Sequence, residues 1–325
     1  MTTLTDLVEV EAVGPDRYRA VTDSPLSRPT LFGGALVAQA LRAAAASTDP
    51  EKHPHSLHAT FVRAGQSGNG VELAVARTRD GRSFSTRHVT VSQGERVVMT
   101  MTASFQRDEA SPEYQRPADM TMPYPAGPAD RSRRGMLGID IVEIGEPGDA
   151  RYLAWARSQQ ALPADRVLHA CTMAFMSDCG APGVAAWAIG LAAGGPDGSG
   201  GDTPMTTSLD HAMWFHRPGL CDDWVLVSAV PLSTAGSRGL ILGSVHDRDG
   251  RHLASFTQEM LIRAGGGGAA RPRADDRPLC GFRRLPRGLA VWSMGHRHQS
   301  PGTLRPPALH RGELGTVVVL PSAGR

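Results

Sequence analysis

Asp178 is the carboxylate whose surroundings raise a chemical question first. It stands in "AFMSDCGAPG", between an apolar helical run and a cluster of small residues. Pro182 is tolerated in the first turn of a helix but not in its interior. That places Asp178 as an expected N-cap for a helix carrying "GVAAWAIGLAAG", a role worth ~1 kcal/mol. The corresponding helix of the first half begins Phe32-Gly33-Gly34 and has no carboxylate. One half therefore has an acid that the other lacks, as expected if one half has diverged toward chemistry.

A second candidate lies in "TTSLDHAMWFHRPG", which nearly repeats "HPHSLHATFVRAG". Both carry Ser-Leu, a His-Ala pair, an aromatic, Arg and Gly. On a regular strand Asp210 shares a face with Ser208, and Asp210 is read as structural. His211 and His216 are five apart, so a strand points them to opposite faces and they share no metal ion. Both are read as structural or satisfied polar residues. Cys171, Cys179, Cys221 and Cys280 fit neither a zinc pattern nor a disulfide framework. Gly-x-Ser-x-Gly, P-loop and dinucleotide fingerprints are missing. No metal or cofactor is expected.

The elements that position these residues repeat as well. Residues 6–21 alternate around "VGPD" and read as a hairpin or a bulged strand. "LFGGALVAQALRAAAAS" is nearly free of charge and reads as a buried helix. Its glycines at 33 and 34 allow close backbone approach. Strands are expected over 55–63, 70–79, 82–92 and 95–106. After a Pro-rich linker the order recurs: strands at "IDIVEI" and "ARYLAWARSQQ", a helical stretch broken near Asp178, then strands over 206–217, 223–233, 237–247 and 251–263. Two copies of one small α+β unit follow. The boundaries are residues 1–107, a linker over 108–135, residues 136–263, and a basic tail over 264–325 that is expected to be disordered. The Gly-rich run 193–203 reads as a flexible connector.

Charge excludes some partners. The 325-residue chain has a net charge of +2. Its tail holds ten Arg against Asp275, Asp276 and Glu313, a balance of +7, which leaves the remainder at −5. No nucleic-acid footprint is expected on such a body. No apolar run reaches the length of a membrane span, and the start has no signal-peptide core. A cytoplasmic protein is expected.

"LFGGALVAQAL", "HSLHATFVRAG", "RDGRSFSTRHVTVSQGERVVMTMTASFQ", "MSD", "SLDHAMWFHRPG" and "SRGLILGSVHDRDGRHLASFTQEMLIR" occur in that order. Together they resemble the type II acyl-CoA thioesterases over roughly residues 5–263. The resemblance implies a double hotdog, two antiparallel sheets each wrapping a long central helix. It implies hydrolysis of medium- to long-chain fatty acyl-CoA to free fatty acid and CoA, and a homo-oligomer. It also implies a catalytic set: Asp178 from the Ser-Asp pair, Ser208 ahead of Asp210-His211 with Thr207 behind it, and Gln258 of "FTQEM". Gly33, Gly34 and Ala35 are expected to meet the substrate at a helix start. The family pattern has Gln where this chain has Ala35, and Arg-Pro-Gly where it has Arg63-Ala64-Gly65. It has bulky apolar residues where Cys179-Gly180-Ala181-Pro182-Gly183 stand. A hotdog acyl-CoA hydratase or dehydratase, with His169 or His211 drafted as acid–base, is the alternative on the same fold. A non-catalytic acyl-CoA-binding protein is a third reading.

Overall fold

The computed structural model describes residues 3–20, 30–117, 120, 125, 138–144, 151–191 and 205–263. All lie within one compact unit, Met1–Ala270. The connector 193–203, the tail 264–325 and most of 118–135 lie outside the described residues.

The strands follow the alternation of the sequence closely. They are β1 (Glu11–Gly14), β2 (Arg17–Ala20), β3 (Lys52–Phe61), β4 (Val71–Asp80), β5 (Phe84–Gln93), β6 (Arg96–Arg107), β7 (Ile139–Glu143), β8 (Tyr152–Ser158), β9 (Met205–Ser208), β10 (Asp210–Phe215), β11 (Val225–Ala235), β12 (Arg238–Asp247) and β13 (His252–Arg263). All pair antiparallel, in the order β1-β2-β4-β5-β6-β3-β10-β13-β12-β11-β8-β7, with β9 also on β13. Read outward from the centre, the two halves have the same strand order, so the duplication seen in the sequence is a duplication of topology.

The expectation of two sheets is corrected: among the described residues the strands form one sheet of 13. The reason lies in the repeated motifs. β3 carries the first and β10 the second, and they pair with each other, Thr60 opposite Asp210 and Ser56 opposite Trp214. Each would otherwise be an exposed edge; pairing them removes both edges at once.

Four α-helices accompany the sheet among the described residues: α1 (Leu4–Val8), α2 (Gly33–Ala46), α3 (Arg166–Ser177) and α4 (Val184–Trp187). α1 stands where a strand was expected to begin. Thr3 and Asp6 form a capping box, and Leu4, Leu7 and Val8 bury one face at helical spacing. α2 is buried over most of its length, as its single charge, Arg42, leads one to expect, and packs against β3, β4, β5 and β6. Each Val or Leu so buried contributes about 1.5–3 kcal/mol. α2 also packs on α3, and Arg42 joins them through Asp165 at 2.7 Å. Asp165, not Asp178, is the helix N-cap of this half: its Oδ1 accepts from Val167 N–H at 2.9 Å and Leu168 N–H at 3.2 Å.

Asp178 is the C-cap of α3, which corrects its expected place as an N-cap. The chain turns at Gly180, whose φ of +93° is left-handed and suits glycine. A 3-10 turn at Ala181–Gly183 with Pro182 in its first turn then leads into α4. The long second helix is thus broken into a 12-residue piece and a 4-residue piece. Tyr152 from β8 fixes the break, its hydroxyl donating to Cys179 O at 2.7 Å while its ring fills the space a Cβ of Gly180 would need.

Candidate active site

Asp178, Ser208 and Gln258 come from α3, β9 and β13, and the fold brings them together. The Gln258 amide nitrogen donates to Asp178 Oδ1 at 2.7 Å and to Ser208 Oγ at 2.7 Å. Both amide hydrogens are then used. Gln258 is fully buried and Asp178 is 7% exposed.

The other carboxylate oxygen reaches across to the first half. Gly34 N–H donates to Asp178 Oδ2 at 2.7 Å. Phe32 caps α2 without a side-chain bond, and the intrahelical ladder begins only at Leu36 N–H to Phe32 O. The N–H groups of Gly33, Gly34 and Ala35 lie ahead of that ladder. Asp178 therefore does cap a helix, but the helix of the other half. Glycine is needed at Gly34, where a Cβ would stand 2.9 Å from Phe175 O, while a Cβ on Gly33 would crowd Phe61 at 3.0 Å and Asp178 Oδ2 at 3.1 Å. Phe32 and Phe175 seal this junction edge to face, with ring centroids 5.2 Å apart.

Burial pushes the Asp178 carboxyl up to about 6, while the bonds from Gln258 and Gly34 pull it down. A carboxylate so placed is charged at neutral pH yet close enough to neutrality to take a proton. The positive end of α2 points at it, which favours the charged form.

Ser208 is aimed at Gln258 by an irregularity in its strand. Ser208 lies opposite Met260, whereas Ala212 lies opposite Thr257. The β9–β10 segment thus carries one more residue than β13 between these points, a β-bulge. The expectation that Ser208 and Asp210 share one regular face is corrected accordingly. Asp210 Oδ1 accepts from Glu259 N–H at 2.7 Å and so pins the bulge.

The histidines divide. His169 is buried, and its Nδ1 accepts from Cys221 N–H at 3.1 Å. It is tied into the packing rather than poised for acid–base work. His216 is exposed and bonds Ser255 Oγ. His211 is 1% exposed, stacks on Phe256 and lies 3.0 Å from Ser177 Oγ through Nε2. Its closeness to Gln258 was not foreseen; the only signal in the sequence is its place beside Asp210 in the repeated motif. Among the described residues no group of three or more His, Cys, Asp or Glu is arranged to hold a metal ion. Cys171, Cys179 and Cys221 are buried free thiols, and Cys280 lies outside the described residues. No described helix is long and apolar enough to cross a membrane.

An antiparallel hotdog-like sheet, duplicated and carrying one buried acid–amide–hydroxyl cluster at a helix start, defines a class, and comparison with known proteins agrees with it. Residues 22–106 match the acyl-CoA thioesterase N-terminal domain and residues 94–262 the acyl-CoA thioesterase C-terminal domain. Acyl-coenzyme A thioesterase 8 of Rattus norvegicus is 31% identical over 292 residues, covering 80% of this chain and 89% of that protein. Acyl-CoA thioesterase 2 of Haemophilus influenzae is 28% identical, covering 72% and 87%. Among solved structures, the acyl-CoA thioesterase II TesB2 from Mycobacterium marinum superposes with a TM-score of 0.68 at 32% identity, covering 82% of this chain and 98% of that one. The chain belongs to the acyl-CoA thioesterase family.

Proposed function

We propose that this chain hydrolyses acyl-CoA thioesters, medium- to long-chain ones by its resemblance, to free fatty acid and CoA, with Asp178, Ser208 and Gln258 as the catalytic set. The observation that carries the reading is the Gln258 amide, which bonds Asp178 and Ser208 at 2.7 Å each inside the fold.

In this reading a water held by Asp178 and Ser208 attacks the thioester carbonyl carbon. Asp178 takes its proton, and the carbonyl oxygen becomes an oxyanion. The tetrahedral species collapses, the C–S bond breaks, and CoA leaves as a thiolate that recovers the proton from Asp178. General-base help of this kind contributes roughly 10²–10⁴ in rate. Gln258 and Ser208 fix the position of the water and so reduce the entropy lost at the transition state. Ser208 accepts from Gln258, which leaves its own O–H to donate.

Substrate is assigned to Gly33, Gly34 and Ala35, with one division among them. Gly34 N–H is already committed to Asp178. The oxyanion is therefore given to the N–H groups of Gly33 and Ala35, where the helix dipole is positive. A homo-oligomer, carried from the family resemblance, and a cytoplasmic location, expected from the sequence, complete the reading.

The test is thiol release from short- to long-chain acyl-CoAs. Release of CoA matched by free acid is expected. Hydration of an enoyl-CoA without CoA release would instead select the hydratase reading.

A further inference from the structure

We infer that His211 is a positioning residue which, through an Nδ1–H···Oε1 bond to Gln258, holds that amide with its nitrogen toward Asp178 and Ser208. The inference rests on the catalytic reading of Asp178, Ser208 and Gln258.

An amide has two faces, and this one must not turn over. If Oε1 took the place of Nε2, it would put an acceptor against the acceptors of Asp178. The bonds to Asp178 and Ser208 favour the observed orientation, but they leave Oε1 to be satisfied elsewhere. Among the described residues, Oε1 of Gln258 is a buried atom with no hydrogen-bond partner, and so is Nδ1 of His211. Buried polar atoms are rarely left so. Ala212 lies opposite Thr257, His211 and Gln258 are the next residues along β10 and β13, and the Gln258 side chain acts on the His211 ring as a hydrogen-bond partner.

The rest of the ring agrees. His211 is neutral near pH 7, since burial holds it down to about 4, with Gln258 acting against that as an acceptor does. A neutral imidazole carries one N–H. Placed on Nε2, it would point at Ser177 Oγ and leave two bare acceptors, Nδ1 and Oε1, beside each other. Placed on Nδ1, it bonds Oε1, and the Ser177 hydroxyl, 3.0 Å from Nε2, donates to the ring. Ser177 Oγ also lies 2.9 Å from Ala174 O and turns from it in this arrangement. Stacking on Phe256, with centroids 5.9 Å apart and planes 12° off parallel, holds the ring in its plane. The line of donors then runs Ser177, His211, Gln258, and ends on Asp178 and Ser208.

Two measurements on the full chain test this. Long-range 1H–15N spectra of histidine-labelled wild type report the tautomer of His211 directly, its signal assigned by loss in His211→Phe or His211→Asn. Nδ1–H is expected; Nε2–H overturns the inference whatever the activity. In steady-state hydrolysis, His211→Phe keeps the stack and loses the donor, and kcat should fall about 10- to 100-fold with KM little changed. His211→Asn, which replaces the donor, should recover most of it. In a Gln258→Ala background His211→Phe should cost almost nothing further. An equal cost in both backgrounds, or no recovery by Asn, overturns the inference. If His211→Phe fails to fold, the tautomer and His211→Asn decide. If wild type releases no CoA, the thioesterase reading fails, and the tautomer still judges the network.

Discussion

Asp178 at the end of α3 accepts the N–H of Gly34 in the first turn of α2 at 2.7 Å, so the acid of one half caps the helix of the other. This contact spans 144 positions of sequence and joins the duplicated halves at the point where chemistry is proposed. It also explains why one half has the acid and the other the glycines. A second carboxylate at the α2 start would stand against Asp178, and a side chain at Gly34 would displace it.

The pH dependence of kcat/KM should follow Asp178. A general base works deprotonated, so the rate should rise with pH through about 6 and level off above. A rate profile between pH 4.5 and 8.5 measures this. A flat profile across that range contradicts Asp178 as the base.

Removing Gln258 should act on both rate and ionisation. Gln258→Ala is expected to lower kcat with the fold intact, by roughly 10²-fold. The Gln258 bond pulls the Asp178 carboxyl down. Without it the acid limb of the profile should move to higher pH. Ser208→Ala loses one water contact and should cost less, about tenfold, with the limb nearly unmoved. Stopped assays at several pH values separate the two.

Gly34→Ala adds a methyl group 2.9 Å from the Phe175 carbonyl and 3.0 Å from Asp178 Cβ. Backbone does not yield cheaply, and overpacking of this kind costs about 1–3 kcal/mol. Urea unfolding should show that loss, and hydrolysis should fall with it because the carboxylate is pushed off its partners. A variant as stable and as active as wild type would show that the junction relaxes freely.

Stability should carry a mark of the raised carboxyl. The folded value of about 6 exceeds the unfolded 3.8. The contribution of Asp178 is then fully present below pH 4 and is lost as pH rises through 6, by about 3 kcal/mol in all. Compared with Asp178→Asn, wild type should therefore lose relative stability between pH 4 and pH 7. Parallel urea titrations of the two proteins measure the difference directly.

Much of this was legible from local pattern. Most strands lie within a few residues of the runs the sequence marks, and the run Gly33–Ala46, with Arg42 its one charge, is the buried helix it reads as. What failed depends on distant partners. Nothing local in "SLDHA" says that its partner is "SLHAT", so the single sheet stayed hidden. The asymmetry between halves marks Asp178, but local pattern cannot show which helix it caps, because the cap is made across the halves. Ser208 and Gln258 were carried by resemblance; their meeting rests on a bulge that alternation does not show. Residues 6–8 read as the start of a strand because a one-turn capping box outweighs period two only when its helix has a surface to cover.

The central claim is that Asp178 activates water on a thioester, and the most direct measurement is CoA release by wild type beside Asp178→Asn at pH 7.5, both shown folded by circular dichroism. A fall of roughly 10²-fold or more in kcat, with KM within a few fold, is the predicted result. Undiminished release by the Asn variant would contradict it and move the base elsewhere.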